Sequence, residues 1–474
     1  MGRKLGTNIS VESGTTSGPE LLIELDRTSG ADALHRQLTD GLRDAIRTGR
    51  LTPKTRLPSS RVLAADLQVS RRLVVDAYSQ LVAEGFLQSQ QGSGTTVAAV
   101  DTTTRVSQPS RPDRRTFDID FAPGVPDLSS FPRQSWLRAL RQGLSSIESP
   151  SLGYASPKGL PDARAAVSDY LRRTRGVLAD PQRVVLCSGA TQAIALLAQV
   201  LRHRAIAMEE PGFWLHRMVF RQHGIEPAPI PVDDDGLDVT ALANTVASTV
   251  LATPAHQSPT GVVLSPARRT ALLEWARAGN LVIEDDYDAE YRYDRAPVGA
   301  LHALAPDRVV YLGSVSKTLA PGLRLGWMVL PPDLVGPVVS AKSLADTGSS
   351  VMDQLAFATL LRSGDYDRHL RLMRRRYLAR RNALLAALGR YLPEAGVLGA
   401  AAGVHLTVRL PTDCNIDGIV REAANQRVRI DPLSWCYTEP DCAPPGLILG
   451  YANLTESQID AGVRAIAAAV GHAT

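Results

Sequence analysis

The sequence has few cysteines, no long apolar run and no signal-like N-terminus, and each absence excludes a class of protein. Its four cysteines (187, 414, 436 and 442) show neither CxxC spacing nor the density of a disulfide framework. We therefore expect a reduced, cytoplasmic protein without a metal site. No stretch of about 18 apolar residues is present to span a bilayer. The first residues, MGRKLGTNISVESG, lack the apolar segment of a secretory signal.

Positive charge is confined to one end of the chain. The first 116 residues carry 16 Lys and Arg against 12 Asp and Glu, whereas the other 358 residues carry 36 of each. The net charge of +4 therefore belongs to the first quarter. At 474 residues the chain exceeds one domain of roughly 100–200 residues. This asymmetry favours a basic N-terminal module joined to a neutral one.

Composition along the chain places the boundaries of these modules. We expect a disordered tail at 1–18, a small domain at 19–98, a Thr-, Ser-, Pro- and Arg-rich linker at 99–116 and a large domain at 117–474. In the large domain, apolar runs such as RVVLCSG, TVLATPAH and NLVIEDD alternate with amphipathic helical patterns. This alternation predicts a mostly parallel α/β sheet. A smaller subdomain should follow from about residue 365, beginning with a long helix.

Three helices are predicted in the small domain. In residues 33–48, apolar side chains recur every four positions from Leu34 to Ile46, which marks one face of a helix. A second helix is expected at 59–67 with Ser59 or Ser60 as its N-cap, and Ser70 is a favourable N-cap for a third helix that ends at Gly85. The short turn QVS joins these last two helices. Two helices joined in this way are typical of a helix-turn-helix, whose second helix presents its N-terminus to the major groove.

The predicted recognition helix begins with Ser70, Arg71 and Arg72. The serine hydroxyl and the free backbone N–H groups can hold a phosphate, and an arginine can reach guanine O6 and N7. The alternative is that both arginines are solvated surface charges on a small helical domain. The following segment, FLQSQQGSGTTVA, reads as a hairpin with Gly92 and Gly94 at its tip. Such a hairpin could approach the minor groove as a wing.

The order of LPSSR, the QVS turn, the arginines and GSGT resembles the winged helix-turn-helix of the GntR regulators over about residues 31–99. This resemblance implies an α+β DNA-binding domain that contacts double-stranded operator DNA. It places DNA contacts at Arg61, Ser70, Arg71 and Gly92. Val75 occupies the position at which some GntR proteins carry a further arginine, so the bases that are read stay open.

The chemistry of the large domain centres on the segment SVSKTLAPGLRLGW at 314–327. A lysine beside small hydroxyl residues, with an arginine seven positions later, suits a phosphorylated aldehyde. Lys317 could form a Schiff base, while Ser314 and Arg324 bind the phosphate. Such a lysine must lose its proton to attack, and burial lowers its pKa. One Ser-x-x-Lys string alone is weak evidence, because most lysines at that spacing lie on the surface.

Three further segments support the same chemistry. LCSGATQAIALLAQVL (186–201) predicts a strand, a glycine turn and a helix whose N-terminus can hold phosphate, although it also fits an ordinary βα turn. EEPGFW places Phe213 where it could stack on a pyridine ring or belong to the core. Asp285 ends an apolar strand and could pair with a pyridine nitrogen. Asp285 and Asp286 could instead bind a metal, but no His or Cys lies at ligand spacing.

In order and spacing, these motifs resemble the fold type I aminotransferases over about residues 117–474. The resemblance implies an α/β fold with large and small subdomains and a bound pyridoxal 5′-phosphate. It assigns Lys317 to the aldehyde of the cofactor, Asp285 to its pyridine nitrogen and Tyr287 to its phenolic oxygen. The residues that would stack on the ring or surround the phosphate are Phe213, Ala190, Thr191, Ser314 and Arg324.

Two positions depart from that family. Its asparagine before Pro-x-Gly is Ser258 here, so Gln257 or His256 is expected to contact the phenolic oxygen. Its C-terminal arginine, which binds the carboxylate of the substrate, is Ile448 in LILGYANL. Arg427 and Arg429 lie outside that strand register. We therefore expect no carboxylate clamp.

The order of a GntR winged helix and an aminotransferase-like domain identifies the chain as a member of the MocR regulators. Membership implies a homodimer that binds operator DNA and responds to a small-molecule effector. Without the carboxylate arginine, the sequence favours a PdxR-like sensor of pyridoxal phosphate that controls vitamin B6 metabolism. The alternatives are a sensor of an amino acid such as GABA or taurine and a working aminotransferase with a DNA-binding arm.

Overall fold

A computed structural model describes residues 7–9, 21–23, 25–26, 31–90, 94–99, 117–154, 156–294, 298–399 and 401–473. Backbone contacts divide the chain into two units, residues 1–115 (unit 1) and 116–474 (unit 2). The expected linker lies outside the described residues except for Ala99. Because each unit folds around its own core, each is treated separately below.

The expectation of a disordered tail at 1–18 is wrong for residues 7–9. Residues Thr7–Ile9 form a strand, β1, that pairs antiparallel with Leu21–Ile23, β2. The rest of the segment 1–18 lies outside the described residues. Composition alone pointed to disorder because Gly, Ser and Thr dominate it. That reasoning overlooked the apolar run LLI, which follows the tail and supplies the pairing partner.

The other elements of unit 1 match the predicted winged helix-turn-helix. They are helices α1 (Ala31–Arg47), α2 (Ser60–Asp66) and α3 (Arg71–Ala83) and strands β3 (Leu87–Gln90) and β4 (Gly94–Val97). Both predicted caps are present: the Ser59 hydroxyl accepts from the Val62 N–H at 3.3 Å, and the Ser70 hydroxyl accepts from the Leu73 N–H at 3.2 Å. Strands β3 and β4 pair as the expected antiparallel hairpin.

The core of unit 1 joins the apolar faces of its three helices. Leu38 and Leu42 of α1 pack with Val74 and Leu81 of α3, and all four are buried. The hydroxyl of Tyr78 in α3 donates to the carbonyl of Pro58 at 3.0 Å. This bond ties the segment that begins α2 to the recognition helix. Both helices of the motif therefore keep a fixed mutual orientation.

Unit 2 contains an eight-stranded sheet and a four-stranded sheet within its described residues. Its strands are β5 (Ile119–Asp120), β6 (Val184–Cys187), β7 (Ile206–Glu210), β8 (Ala228–Asp233), β9 (Gly236–Leu237), β10 (Thr249–Ala252), β11 (Leu281–Asp285), β12 (Val309–Ser314), β13 (Gly326–Val329), β14 (Gly396–Leu398), β15 (His405–Arg409), β16 (Val428–Arg429), β17 (Asp431–Pro432) and β18 (Gly446–Gly450). Its helices are α4 (Arg133–Ser146), α5 (Pro161–Arg175), α6 (Ala190–Val200), α7 (Trp214–Gln222), α8 (Val239–Ala243), α9 (Pro266–Arg277), α10 (Pro332–Asp346), α11 (Val351–Arg362), α12 (Asp365–Tyr391), α13 (Ile416–Asn425) and α14 (Glu456–Ala473).

The large sheet has the predicted mostly parallel arrangement. Its strand order is β6-β13-β12-β11-β10-β7-β8-β9. The pairs β12–β11, β11–β10, β10–β7 and β7–β8 are parallel, whereas β13 runs antiparallel to both of its neighbours. Its strands β6, β10, β11, β12 and β13 are buried throughout their length, as expected of a sheet covered by helices, whereas β8 is partly exposed. The parallel strands therefore end at one common edge, where ligands of such sheets bind.

The small subdomain begins with the long helix that was expected near residue 365. Helix α12 starts at Asp365, and the four-stranded sheet has the order β14-β15-β18-β17. Phe121 packs into the same core, because β5 pairs with β16. Strands β17 and β18 face the cavity described below. The small subdomain therefore supplies one wall of that cavity.

We predict that Gly313→Ala destabilises unit 2. Gly313 lies in β12, and a Cβ atom there would stand 2.5 Å from Nε1 of the buried Trp327. The overpacked ring should cost about 1–3 kcal/mol of unfolding free energy. Urea unfolding followed by tryptophan fluorescence measures it, since all five tryptophans lie in unit 2. Gly389→Ala is the matched control, because that exposed glycine of α12 has open space and should be neutral or stabilising. Equal stability of the two variants would contradict the prediction.

Candidate cofactor cavity and nucleic-acid interface

A cavity of about 250 Å³ opens at the edge where the parallel strands of unit 2 end. Strand β11 ends at Asp285 and β12 at Ser314, so both side chains reach this edge. Every residue that the sequence assigned to the cofactor lines the cavity: Ala190, Thr191, Phe213, Asp285, Tyr287, Ser314, Lys317 and Arg324. These residues come from segments up to 134 positions apart in the sequence, and the fold brings them together.

Lys317 is placed to act as an amine rather than as a surface charge. Its Nζ donates to the carbonyl oxygen of Gly124 at 2.9 Å. Burial lowers the pKa of Lys317, although the carboxyl groups of Asp288 and Asp285 oppose that shift. Gly124 has φ +78°, and a Cβ atom there would lie 2.3 Å from Nζ. A glycine is therefore required at position 124 for the lysine to occupy this place.

Asp285 presents a buried carboxyl group with an unused oxygen. Burial and the neighbouring Asp286 raise the pKa of Asp285 to about 7. Its Oδ1 has no hydrogen-bond partner among the described residues, and its Oδ2 lies 3.7 Å from His216 Nε2. Burial lowers the pKa of His216 to about 3, so that ring is neutral and cannot compensate the carboxylate. A ligand that brings a positive ring nitrogen would supply the missing partner.

The N-terminus of α6 forms one wall of the cavity. Its N-cap residue, Gly189, has φ +88°, and no side chain caps the helix, so the first backbone N–H groups face the cavity. Arg324 adopts φ +48°, and its Nη2 donates to the carbonyl of Ser188 at 2.5 Å. A Cβ at Gly189 would come within 3.3 Å of that guanidinium. Helix N–H groups, an arginine and the hydroxyl of Ser314 are the donors that a phosphate binds.

Tyr287 is the end of a buried polar chain. Its hydroxyl lies 2.9 Å from His256 Nδ1, which lies 3.1 Å from both carboxylate oxygens of Asp288. Ser258 also hydrogen-bonds Tyr287. This network fixes the phenol at the cavity wall. Burial raises the pKa of Tyr287 well above its ordinary value, so the group stays protonated and can donate.

The expectation that Gln257 or His256 contacts the ligand directly is wrong in its geometry. Gln257 is buried, and its Nε2 donates to the carboxylate of Glu209 at 3.2 Å and to the carbonyl of Pro211 at 2.8 Å. Neither Gln257 nor His256 lines the cavity, whereas Ser258 does. The physical reason is that the buried Glu209 holds the amide of Gln257. His256 reaches the cavity only through Tyr287.

Sequence reasoning missed several lining residues at the end formed by the small subdomain. Asp431, Trp435 and His405 line the cavity there, together with Ile448, the expected replacement for the carboxylate arginine. Asp431 in β17 is the Cα partner of Ile448 in β18. No local motif marks these residues, because they are far in sequence from the lysine. His216 had a usable signal, since it follows Phe213 by three residues at the start of a helix.

The recognition helix of unit 1 exposes its basic N-terminus. Arg61, Arg71 and Arg72 are all exposed. Arg71 Nε lies 3.5 Å from the Ser60 hydroxyl, and Arg72 Nε lies 3.9 Å from Asp76. Gly92, the expected contact of the wing, lies outside the described residues.

Arg56 is a further basic residue that the sequence did not single out. Its guanidinium lies beside Gly94 of the hairpin, within 3.1 Å of where a Cβ would stand. Residue 56 also forms a β-bridge with Thr96. Arg56 is exposed and therefore places a further positive charge beside the tip of the wing.

Two other kinds of site are absent from the described ranges. Those residues contain no group of three or more His, Cys, Asp or Glu side chains arranged to hold a metal ion. Over the same part of the chain, no helix combines the length and the apolar character needed to cross a bilayer. The cavity and the basic helix are therefore the features on which a functional interpretation rests.

Comparison with known families matches both units. The family described as aminotransferase class I and II matches residues 118–466, and the family of bacterial regulatory proteins called gntR matches residues 34–97. The first range contains the cavity and the second contains the helix-turn-helix. Both match the two-part organisation of the fold.

Individual relatives extend the likeness over most of the chain. The probable rhizopine catabolism regulatory protein MocR of Rhizobium meliloti is 34% identical over 94% of this chain and 96% of its own. The pyridoxine biosynthesis transcriptional regulator PdxR of Corynebacterium glutamicum is 32% identical, over 89% and 93%. A solved structure, the multiple substrate aminotransferase of Thermococcus profundus, aligns with a TM-score of 0.70 at 26% identity, over 75% of this chain and 91% of that one.

We predict that Asp285→Asn changes how stability depends on pH. The unfolded chain releases the Asp285 proton near pH 3.8, whereas the folded protein holds it up to about pH 7. Between these pH values the folded state binds one more proton than the unfolded chain does. The contribution of Asp285 to the unfolding free energy therefore falls as pH rises. When ligand-free protein is unfolded at pH 5, 6, 7 and 8, the unfolding free energy of the variant should rise relative to that of the wild type up to about pH 7. The exposed Asp235→Asn is the control. Parallel profiles for wild type and Asp285→Asn would reject the assignment.

Proposed function

The chain belongs to the MocR regulators, in which a GntR-type DNA-binding domain precedes an aminotransferase class I and II domain, and from that premise we propose that pyridoxal 5′-phosphate bound in its cavity controls its affinity for operator DNA. The chain is thus a DNA-binding transcriptional regulator, and the proposal concerns its ligand. The observation that carries it is the unpartnered Oδ1 of buried Asp285, in one cavity with Lys317 and Arg324.

The lining residues match the cofactor group by group. Arg324, Ser314 and the N-terminus of α6 offer donors to a phosphate, and Asp285 offers a carboxylate to a ring nitrogen. Phe213 offers an aromatic face to a ring. Tyr287 offers a donor to a phenolic oxygen. Bound there, pyridoxal phosphate supplies an aldehyde that reacts reversibly with amines and a ring that withdraws electrons.

The residues of the chain prepare the amine for that aldehyde. Burial lowers the pKa of Lys317, which increases the fraction of neutral amine at a given pH. The carbonyl of Gly124 accepts a hydrogen bond from Nζ and orients it. The side chain therefore meets the cavity as an oriented nucleophile, which is what covalent capture of an aldehyde requires.

Ile448 favours the cofactor itself as the effector. Burying an unpaired carboxylate costs several kcal/mol or more, and an arginine normally offsets that cost. Ile448 has only an alkyl side chain, and it lines the cavity beside Asp431, its partner on the neighbouring strand. Pyridoxal phosphate needs no such clamp, because its charged groups meet Arg324 and Asp285. The same reasoning weighs against sensing of GABA or taurine, which bring an acidic group.

A homodimer follows from the same premise. The aminotransferase-like fold, by resemblance, holds its cofactor at a dimer interface, so ligand binding can act on the relation between two chains. Two chains carry two recognition helices. Paired helices read half-sites separated by whole turns of DNA. A change in dimer geometry would then alter operator affinity without any change in the helix-turn-helix itself.

A working aminotransferase is the second candidate, because all the proposed cofactor residues are in place. It differs from the sensor in one respect. Turnover of amino acids needs a hold on the substrate carboxylate, and Ile448 provides none. A regulator needs only that its ligand binds one conformation more tightly than another.

We predict that Arg71→Ala weakens operator binding by about 1–3 kcal/mol, if the side chain reads a guanine. The loss should then be largest for operators that keep that guanine and small for operators altered at that base pair. Fluorescence anisotropy with a panel of single-substitution operators measures it. Arg36→Ala is the matched control, because that exposed arginine of α1 is assigned no DNA contact, and it should leave operator affinity unchanged. A uniform loss on every DNA, with a smaller salt dependence, would make Arg71 a phosphate contact instead.

We predict that pyridoxal phosphate alone changes the affinity of the full-length protein for its operator by at least tenfold. Operator binding is measured for ligand-free protein, for cofactor-loaded protein and for loaded protein with a panel of amino acids. Lys317→Ala is the matched variant, since it removes the amine and should abolish both the borohydride-reducible link to the cofactor and the affinity change. Equal operator affinity with and without cofactor, together with a tenfold effect of one amino acid (about 1.4 kcal/mol), would replace this proposal with the amino-acid sensor.

A further inference from the structure

The end of the cavity formed by the small subdomain carries a carboxylate. Asp431 and Ile448 are Cα partners in the antiparallel pair β17–β18, so their side chains stand on the same face of the sheet. Both line the cavity, and Asp431 is 8% exposed. An acidic group therefore lies beside the position at which an amino-acid carboxylate would need a cation.

The charge of Asp431 is only partly balanced. Arg429 Nε lies 3.3 Å from Asp431 Oδ1, but the same guanidinium also lies 3.8 Å from Asp120. One arginine between two carboxylates leaves a net negative charge. His405, on the same face of the sheet, does not supply a cation, because burial lowers the pKa of that ring to about 4. The described lining residues contain two cationic side chains, Lys317 and Arg324, and both are assigned above to the cofactor.

Two aromatic side chains also line the cavity. They are Trp435 and Trp214, which are 51% and 45% exposed, and a backbone hydrogen bond of 2.9 Å from the Gly212 N–H to the Cys436 carbonyl joins the segments that carry them. An indole face attracts a cation more strongly than any other side-chain ring. A carboxylate and indole rings around one opening form the set of groups that binds an ammonium ion. The same set repels a carboxylate, which would face Asp431 at short range without a compensating charge.

We propose that the space bounded by Asp431, Trp435 and Trp214 binds an aliphatic amine that lacks a carboxylate, with its ammonium group against Asp431. This inference rests on the proposed function, because the amine would occupy the same cavity as the cofactor and act as a second ligand of the regulator. It differs from that function in its chemistry, since it assigns the class of the second ligand. Asp431 is the specificity-determining residue and is not required for cofactor binding.

The test compares three probes of equal chain length: 1,4-diaminobutane, 4-amino-1-butanol and 4-aminobutyrate. Isothermal titration calorimetry on the full-length protein, with and without pyridoxal phosphate, gives each dissociation constant. We expect the diamine to bind at least tenfold more tightly than 4-aminobutyrate, with the amino alcohol between them. Asp431→Asn should weaken both the diamine and the amino alcohol at least tenfold, because each places an ammonium group against Asp431.

Two further variants keep the result decisive. Trp435→Leu, at a half-exposed position, should weaken the diamine about two- to fivefold through loss of the ring. Asp441→Asn removes an exposed aspartate of the same segment that does not line the cavity, and it should leave all three affinities unchanged. Thermal unfolding identifies any variant that fails to fold. If Asp431→Asn does not fold, Trp435→Leu decides the question.

The proposal is overturned if 4-aminobutyrate binds the wild type as tightly as the diamine does. It is also overturned if the folded variants at positions 431 and 435 keep the wild-type affinity for the diamine. These outcomes are separable from failure of the proposed function. If pyridoxal phosphate leaves operator affinity unchanged while the diamine preference holds, the cofactor-sensor function fails and the amine site stands. If the cofactor changes operator affinity but no amine preference is found, the amine site fails and the cofactor-sensor function stands.

Discussion

The ion pair between Arg175 and Asp286 is the contact on which the geometry of the cavity depends. Arg175 Nε and Asp286 Oδ2 are 2.6 Å apart, and both side chains are 2% exposed. The Tyr311 hydroxyl donates to the same oxygen at 2.6 Å. Successive side chains at a strand end point to opposite faces. With Asp286 held on one face by α5 and β12, Asp285 must project from the other face into the cavity.

This pair also sets the electrostatics of Asp285. A buried ion pair contributes little net stability, because desolvation offsets the attraction, but breaking one partner away is costly. Asp286 therefore stays in place behind the cavity, where its electrostatic effect adds to burial in raising the pKa of Asp285. The fold thus keeps the carboxyl group of Asp285 at a raised pKa, which only a positively charged ligand group would lower. The site is therefore prepared by residues that do not line the cavity.

The sequence predicted the parts of this site that are encoded by local motifs. Lys317, Asp285 and Arg324 stand in short segments where a strand ends and a turn follows, and a parallel sheet brings such ends to one edge whatever the spacing between them. The helix caps at Ser59 and Ser70 were predictable for the same reason, since a cap involves only the next three residues.

Features that depend on distant partners could not be predicted in this way. Gln257 was misassigned because its role is decided by Glu209, a buried carboxyl group 48 residues earlier in the chain. Asp431 and Trp435 were missed because they lie far in sequence from the lysine, and only the fold brings them to the same cavity. Strand β1 was missed because its partner lies beyond a segment whose composition favoured disorder. In each case, the deciding contact joins residues without a common motif.

The size of the pKa shift of Asp285 connects the chemistry of the cavity to regulation. The pKa of Asp285 is about 7, compared with an ordinary value of 3.8, and each pKa unit restored by a cationic partner corresponds to about 1.4 kcal/mol. Moving a two-state protein from 1:99 to 99:1 needs about 5.5 kcal/mol of differential binding. A few restored pKa units supply much of that energy, provided that one conformation of the chain holds the cationic ring against Asp285 and the other does not. An enzyme would use the same interaction to stabilise its transition state. In a chain without a carboxylate clamp at Ile448, that interaction is free to shift the balance between conformations.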